Sequence, residues 1–107
     1  MPYTVIFSAQ ASRELRRIRA ADRAGIIDQC RRLLSTNPVL TSKARIKQLT
    51  GGVFPPYRLR VGDYRVFYHV EEEATLVRIY GVVNKERADE WLAAVQQEKA
   101  REDGSTG

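Results

Sequence analysis

Between Tyr57 and Val70 the sequence alternates apolar or aromatic side chains with cationic and other residues, and a Gly62-Asp63 pair divides the run in two. Period-two alternation is the spacing of a strand with one buried face. Gly-Asp between two such runs is the signal of a two-residue hairpin loop. With Gly62 and Asp63 as that loop, Val61 faces Tyr64, Arg60 lies opposite Arg65, Leu59 opposite Val66 and Arg58 opposite Phe67. One face of the hairpin then carries Arg58, Arg60 and Arg65. The other carries Tyr57, Leu59, Val61, Tyr64, Val66 and Tyr68. A chain containing such a ribbon must cover the second face with something apolar.

The N-terminal half supplies that cover. Tyr3 to Phe7 is rich in β-branched and aromatic residues and reads as a first strand. Ser8 caps a helix whose Ala11, Leu15 and Ile18 form one stripe, with Arg13, Arg16 and Arg17 on the opposite side. Asp22 reads as the N-cap of a second helix reaching about Leu34, with Ile26, Ile27, Cys30, Leu33 and Leu34 inward. Asn37-Pro38 stops it, because proline cannot donate to a helix and restricts the residue before it. Residues 35–45 form a polar connection, and Arg45 to Leu49 is a short strand or an edge. Gly51-Gly52 and Pro55-Pro56 bracket a loop with Phe54 at its tip. Glu71 to Ala74 makes a second, solvated turn before a third meander strand, Thr75 to Val83, which adds Arg78 and Tyr80 to the arginine face. Glu86 to about Ala100 has helical composition with Trp91, Leu92 and Val95 as its stripe. The expected order is β-α-α-β-β-β-α. This describes a small α+β domain over residues 1–102, with helices packed on one face of a mostly antiparallel sheet and a flexible tail at 103–107.

The 107 residues suit one domain. No apolar run approaches the roughly 18 residues of a membrane span, and the N-terminus lacks the pattern of a signal peptide, so the expected compartment is the cytoplasm. Cys30 is the only cysteine and His69 the only histidine, which excludes an internal disulfide, a thiolate zinc cluster and a two-histidine metal site. No P-loop, G-x-G-x-x-G, EF-hand loop or G-x-S-x-G elbow is present. Neither a metal nor another cofactor is expected. Residues 1–70 hold thirteen basic and four acidic side chains, whereas residues 71–107 hold five basic and nine acidic ones. A basic body of this kind attracts a polyanion, either a nucleic acid or an acidic protein.

Like charges directly opposite each other on a sheet are destabilising, so folding alone does not favour Arg58, Arg60 and Arg65 on one face. Anion binding does, since guanidinium groups present forked donors that match phosphate oxygens and stay charged at physiological pH. Phe67, Tyr80 and His69 on or near that face are suited to stacking on unpaired bases. The alternative is a sheet face that its arginines merely keep soluble.

The segment Tyr57-Arg58-Leu59-Arg60-Val61-Gly62-Asp63-Tyr64-Arg65-Val66-Phe67-Tyr68 resembles the central signature of the RelE/ParE superfamily of type II toxin–antitoxin toxins. Lys47-Gln48-Leu49, the strand end Val82-Val83-Asn84-Lys85 and the element order match its layout too. In the RelE branch the resemblance implies a metal-independent endonuclease that cuts mRNA in the ribosomal A site by attack of a 2′-hydroxyl on the adjacent phosphate. Such chemistry requires a base, cations on the phosphorane and an acid for the leaving oxygen. The family's basic positions fall on Arg58, Arg60 and Arg65 as phosphate clamps, and on Lys85 as candidate proton donor beside Asn84. Lys47, Phe67, Arg78, Tyr80 and Trp91 are candidate RNA contacts, and His69 is a possible base by its intrinsic pKa. Trp91 is the nearest match to the C-terminal tyrosine that RelE-type members often carry, although its helical stripe also suits the core.

Two alternatives remain. ParE-branch members share the signature but poison DNA gyrase without a nuclease site, and a third class only binds its antitoxin. Either active branch implies a cognate acidic antitoxin, and the RelE branch adds the 70S ribosome and mRNA as partners. Arg16, Arg17, Arg31 and Arg32 are then outward helix charge or a footing on ribosomal RNA.

Overall fold

The computed structural model describes residues 2–41 and 45–105, with side chains described through residue 102. Ser42 to Ala44 of the polar connection, and Thr106 and Gly107 of the expected tail, lie outside the described residues. In chain order the elements are β1 (Thr4–Phe7), α1 (Ala9–Arg16), α2 (Ala20–Leu34), β2 (Ile46–Gln48), β3 (Tyr57–Val61), β4 (Tyr64–Glu71) and β5 (Leu76–Asn84). A single 3-10 turn (Lys85–Arg87) then leads into α3 (Ala88–Ser105). Among the described residues no helix is long and apolar enough to cross a membrane.

The hairpin has the register that its alternation demands. Val61 pairs with Tyr64, Arg60 with Arg65, Leu59 with Val66 and Arg58 with Phe67. Gly62 takes a φ of +56°, in the region that favours glycine. The sheet order is β1-β5-β4-β3-β2, antiparallel except for the parallel β1–β5 pair. Arg45 to Leu49 therefore contributes a true fifth strand, with Ile46 paired to Leu59, Lys47 to Arg58 and Gln48 to Tyr57. A register shift at Phe67/Tyr68 pairs these with Gly81 and Ile79, leaving Tyr80 as the extra residue of a bulge.

Leu59, Val66, Tyr68, Val70, Val77, Ile79 and Val82 pack against Ala11 and Leu15 of α1 and Ile26, Cys30 and Leu34 of α2. Burial pushes the Cys30 thiol up to about 12, which makes it an inert core group. Tyr68 is fully buried, and its hydroxyl donates to the Pro38 carbonyl at 2.6 Å, fixing the connection that follows α2.

Ser8 caps α1 as expected, its Oγ accepting from the Ala11 N–H at 3.1 Å. Ser8→Ala should cost about 1 kcal/mol of stability, read as a lower urea midpoint at unchanged slope. The second cap differs from expectation. α2 starts one turn earlier, with Arg19 at the N-cap and no side-chain cap bond. Asp22 instead sits in the first turn, where a carboxylate complements the helix dipole. There it lies 3.4 Å from Arg19 and accepts from the Tyr64 hydroxyl at 3.3 Å.

The helices also do not all share one face. α1 and α2 cover the Leu59/Val66 side, whereas α3 sets Trp91 against Phe67 on the arginine side. The bare surface expected there is therefore partly roofed. A large apolar ring at Phe67, on an otherwise cationic face, has to be covered, and Trp91 covers it to 2% exposure.

Candidate nucleic-acid interface

Strand register places the cationic residues in rows across the sheet. One row runs Lys47, Arg58, Phe67, Gly81, and the next runs Arg60, Arg65, Val83. A third row pairs His69 with Arg78. Lys47, Arg58, Arg60 and Arg65 thus share one end of the face. Lys85 joins them from the end of β5, because its N–H donates to the Asp63 carbonyl at 2.7 Å and its Nζ lies 3.3 Å from Asp63 Oδ1.

Within this cluster Arg58 occupies the most demanding position. Its Nε is buried and has no hydrogen-bond partner. Burial first, and then the charges of Arg65 and Arg60, hold its guanidinium below the ordinary arginine pKa. Arg65 folds back on the hairpin, its Nη1 donating to the carbonyls of Gly62 (3.1 Å) and Tyr64 (3.0 Å). Arg60 points outward and is exposed. Among the described residues none of these three arginines pairs with a carboxylate, whereas Arg78 is matched by Glu71 at 3.0 Å. Three like charges held together with no carboxylate partner among the described residues, one of them with a buried donor left unpaired, are an arrangement that folding alone does not favour and that suits an anion chemically.

The other half of the face is aromatic and covered. The Phe67 and Trp91 rings stack with centroids 4.8 Å apart and planes 9° from parallel. Phe54, at the loop tip, lies 5.5 Å from His69 and 5.0 Å edge-on to Tyr80, and Lys99 Nζ stands 5.1 Å over its ring. The Gln96 side chain binds both backbone groups of Phe54, accepting from its N–H at 3.0 Å and donating to its carbonyl. Burial raises the Tyr80 phenol, with Arg78 pulling the other way. The structure therefore groups Lys47, Arg58, Arg60 and Arg65 as a cationic field, with Lys85 beside it and paired with Asp63. It places Phe67, Tyr80, Trp91 and His69 in contacts with protein rings.

Three residues that build this roof do not stand out in the sequence. Phe54 reads only as a loop tip, and Gln96 carries no pattern of its own. Glu14 does leave a trace, since it is the one acidic side chain among the first 21 residues. Its Oε1 accepts from the Val82 N–H at 2.8 Å and its Oε2 from the Trp91 indole at 3.0 Å.

Residues 5–89 match the family described as the ParE toxin of the type II toxin–antitoxin system parDE. Toxin RelG of Mycobacterium tuberculosis (strain ATCC 25618 / H37Rv) is 33% identical over 82 residues, covering 77% of this chain and 90% of that protein. The structure is similar to a chain of the RelBE2 toxin–antitoxin complex of M. tuberculosis, with a TM-score of 0.66 and 28% identity over 78% of this chain and 99% of that one. It is equally similar to a chain of the archaeal RelE–RelB complex from Pyrococcus horikoshii OT3, with a TM-score of 0.66 and 30% identity over 81% and 99% of the two chains. With the hairpin signature in its expected register and a family match spanning most of the sequence, this chain belongs to the RelE/ParE superfamily of type II toxin–antitoxin toxins.

Proposed function

We propose that this protein is a RelE-like toxin that cleaves mRNA on the ribosome without a metal, and so acts in the cytoplasm. The observation that carries this reading is the unpartnered Arg58 Nε within a cluster of strand arginines that no carboxylate neutralises among the described residues. Arg58, Arg60 and Arg65 clamp the scissile phosphate and the charge that grows on it in the transition state. Lys47, in the Arg58 row, adds a second cation on the β2 side. Lys85, once released from Asp63, is the proton donor to the leaving 5′-oxygen. His69 is the candidate base, and it acts only if the Phe54 ring beside it moves aside. Arg78, Tyr80 and Trp91 line the path of the RNA. Phe67, expected from the sequence as an RNA contact, is buried beneath Trp91 and supports that wall without touching the RNA itself.

A cognate antitoxin of RelB type is the natural regulator, as in the M. tuberculosis and P. horikoshii complexes that this fold resembles. We expect it to be acidic, to lie along the apolar groove beside α1 and α2 and to neutralise the arginine face by charge pairing. High salt and charge reversal at Arg58 and Arg60 should both weaken that complex.

The test is primer extension on mRNA from translating ribosomes, comparing wild type with Arg60→Ala/Arg65→Ala. Cuts at in-frame codon positions that disappear in the variant support the nuclease. Intact mRNA despite growth arrest would instead favour gyrase inhibition, the reading to which the ParE family match points. Intact mRNA without arrest would leave an antitoxin-binding relative.

A further inference from the structure

β5 extends beyond its parallel neighbour. β1 pairs with it only as far as Phe7 opposite Ile79, and the chain then turns into α1 while β5 continues to Asn84. Among the described residues, no strand lies beside the edge of β5 past the end of β1. Glu14, half-buried on α1, reaches over that edge. One oxygen takes the Val82 N–H at 2.8 Å, as a neighbouring strand would, and the other takes the Trp91 indole N–H at 3.0 Å, with Gln10 Nε2 at 3.2 Å. Trp91 in turn lies on Phe67, whose partner across the ladder is Arg58. The indole so closely covers Gly81 that a Cβ there would meet Cζ2 at 2.1 Å. The outer side of this junction is a cleft of about 650 Å³ lined by Glu14, Ile18, Arg19, Tyr64, Arg87 and Trp91.

We propose that Glu14 is a positioning residue of the arginine face. It fixes Trp91 on Phe67 and thereby sets the wall against which Arg58 meets its anion. A carboxylate placed only to offset the helix arginines would be exposed, and one placed only to satisfy Val82 needs a single oxygen. Glu14 spends its second oxygen on the only tryptophan of the chain, through a charge-assisted bond about twice as strong as a neutral one. The docking of Trp91 is independent of what the arginine face binds, and only the effect on affinity rests on RNA as its ligand.

Glu14→Gln separates the two jobs of the side chain. Its amide oxygen keeps the bond from Val82, while its NH2 group faces the indole N–H, donor against donor. Because Trp91 is the sole tryptophan, its accessibility to acrylamide reports the docking of α3 directly. Glu14→Gln should raise the quenching constant several-fold and lower the melting temperature by a few degrees, and Glu14→Ala, which also takes the acceptor from the Val82 N–H, should lower it further. Affinity for a fluorescein-labelled single-stranded RNA decamer, read by anisotropy, should fall about tenfold in Glu14→Gln. In a Trp91→Phe background the same change should have no effect on affinity, because the indole donor is gone.

Unchanged quenching in Glu14→Gln overturns the proposal, as does raised quenching with RNA affinity intact. Equal losses with and without Trp91 would reduce Glu14 to a general charge effect and also overturn it. A wild-type protein that binds no RNA at all removes the RNA reading of the face, and the positioning role with it. That result is distinguishable from one in which wild type binds and Glu14→Gln binds equally well.

Discussion

Arg58→Met should melt about 4 °C higher than wild type and no longer arrest growth. The wild-type side chain brings a guanidinium to a half-buried position, leaves its Nε without a partner and faces the charges of Arg60 and Arg65. Methionine keeps the aliphatic length between Lys47 and Phe67 and removes both penalties. An unsatisfied donor and like-charge neighbours, discounted for the water that reaches the rest of the group, are together worth about 1 kcal/mol. In a domain of this size that corresponds to about 4 °C. Loss of one charge-assisted phosphate contact should lower RNA affinity about ten- to a hundredfold. A variant both less stable and fully toxic would show that Arg58 serves the fold and not the ligand. The opposed signs matter, because a damaged protein loses activity and stability together. Thermal melts and induction of growth arrest on the same preparation decide between the two.

Gly81→Ala should undock the C-terminal helix. Strand backbone at Gly81 accepts any residue, since its φ is not in the left-handed region; the obstacle is the Trp91 ring, whose nearest atom would lie 2.1 Å from the new methyl. That ring has little room to yield, stacked on Phe67 from one side and hydrogen-bonded by Glu14 from another. Overpacking of this kind costs about 1 to 3 kcal/mol, a fall of about 4 to 12 °C in melting temperature. Tryptophan emission should shift to the red as the indole enters water. In a Trp91→Ala background the methyl has space, so the penalty for Gly81→Ala should largely vanish. If it persists there, strand conformation and not the indole is what requires glycine.

The hairpin is legible in the sequence because its information is local. Alternation assigns the faces, Gly62-Asp63 fixes the register, and no distant residue can shift that register without exposing Leu59 and Val66. The arginine cluster follows from that register alone. Ser8 is legible for the same reason, since a cap is satisfied within three residues. β2 is half-visible, for three residues at a sheet edge give too short a pattern to separate strand from loop. Asp22 misleads because N-cap and first-turn positions both favour a carboxylate, and the two differ by a shift of a few residues.

The side of the sheet on which α3 lies is hidden from sequence. Its apolar stripe states that Trp91 faces protein but not which protein surface, and the answer depends on Phe67, Gly81 and Glu14, drawn from three other elements. Gln96 is invisible for the same reason, because an amide in a helix acquires meaning only when the Phe54 backbone arrives beside it.

The parallel pairing of β1 with β5 orders events during synthesis. Thr4 must find Leu76, and Ser8 donates its N–H to Ile79, so β1 waits for β5. The β3–β4–β5 meander joins neighbours in sequence and can close quickly, whereas β1 must bridge most of the chain. Until β5 emerges, β1 and α1 have no sheet to rest on, and Glu14 has neither Val82 nor Trp91 to hold. The aromatic roof over the cationic face is therefore completed only after α3 has followed β5 out of the ribosome. A nascent chain stalled before that point presents its arginines without their wall.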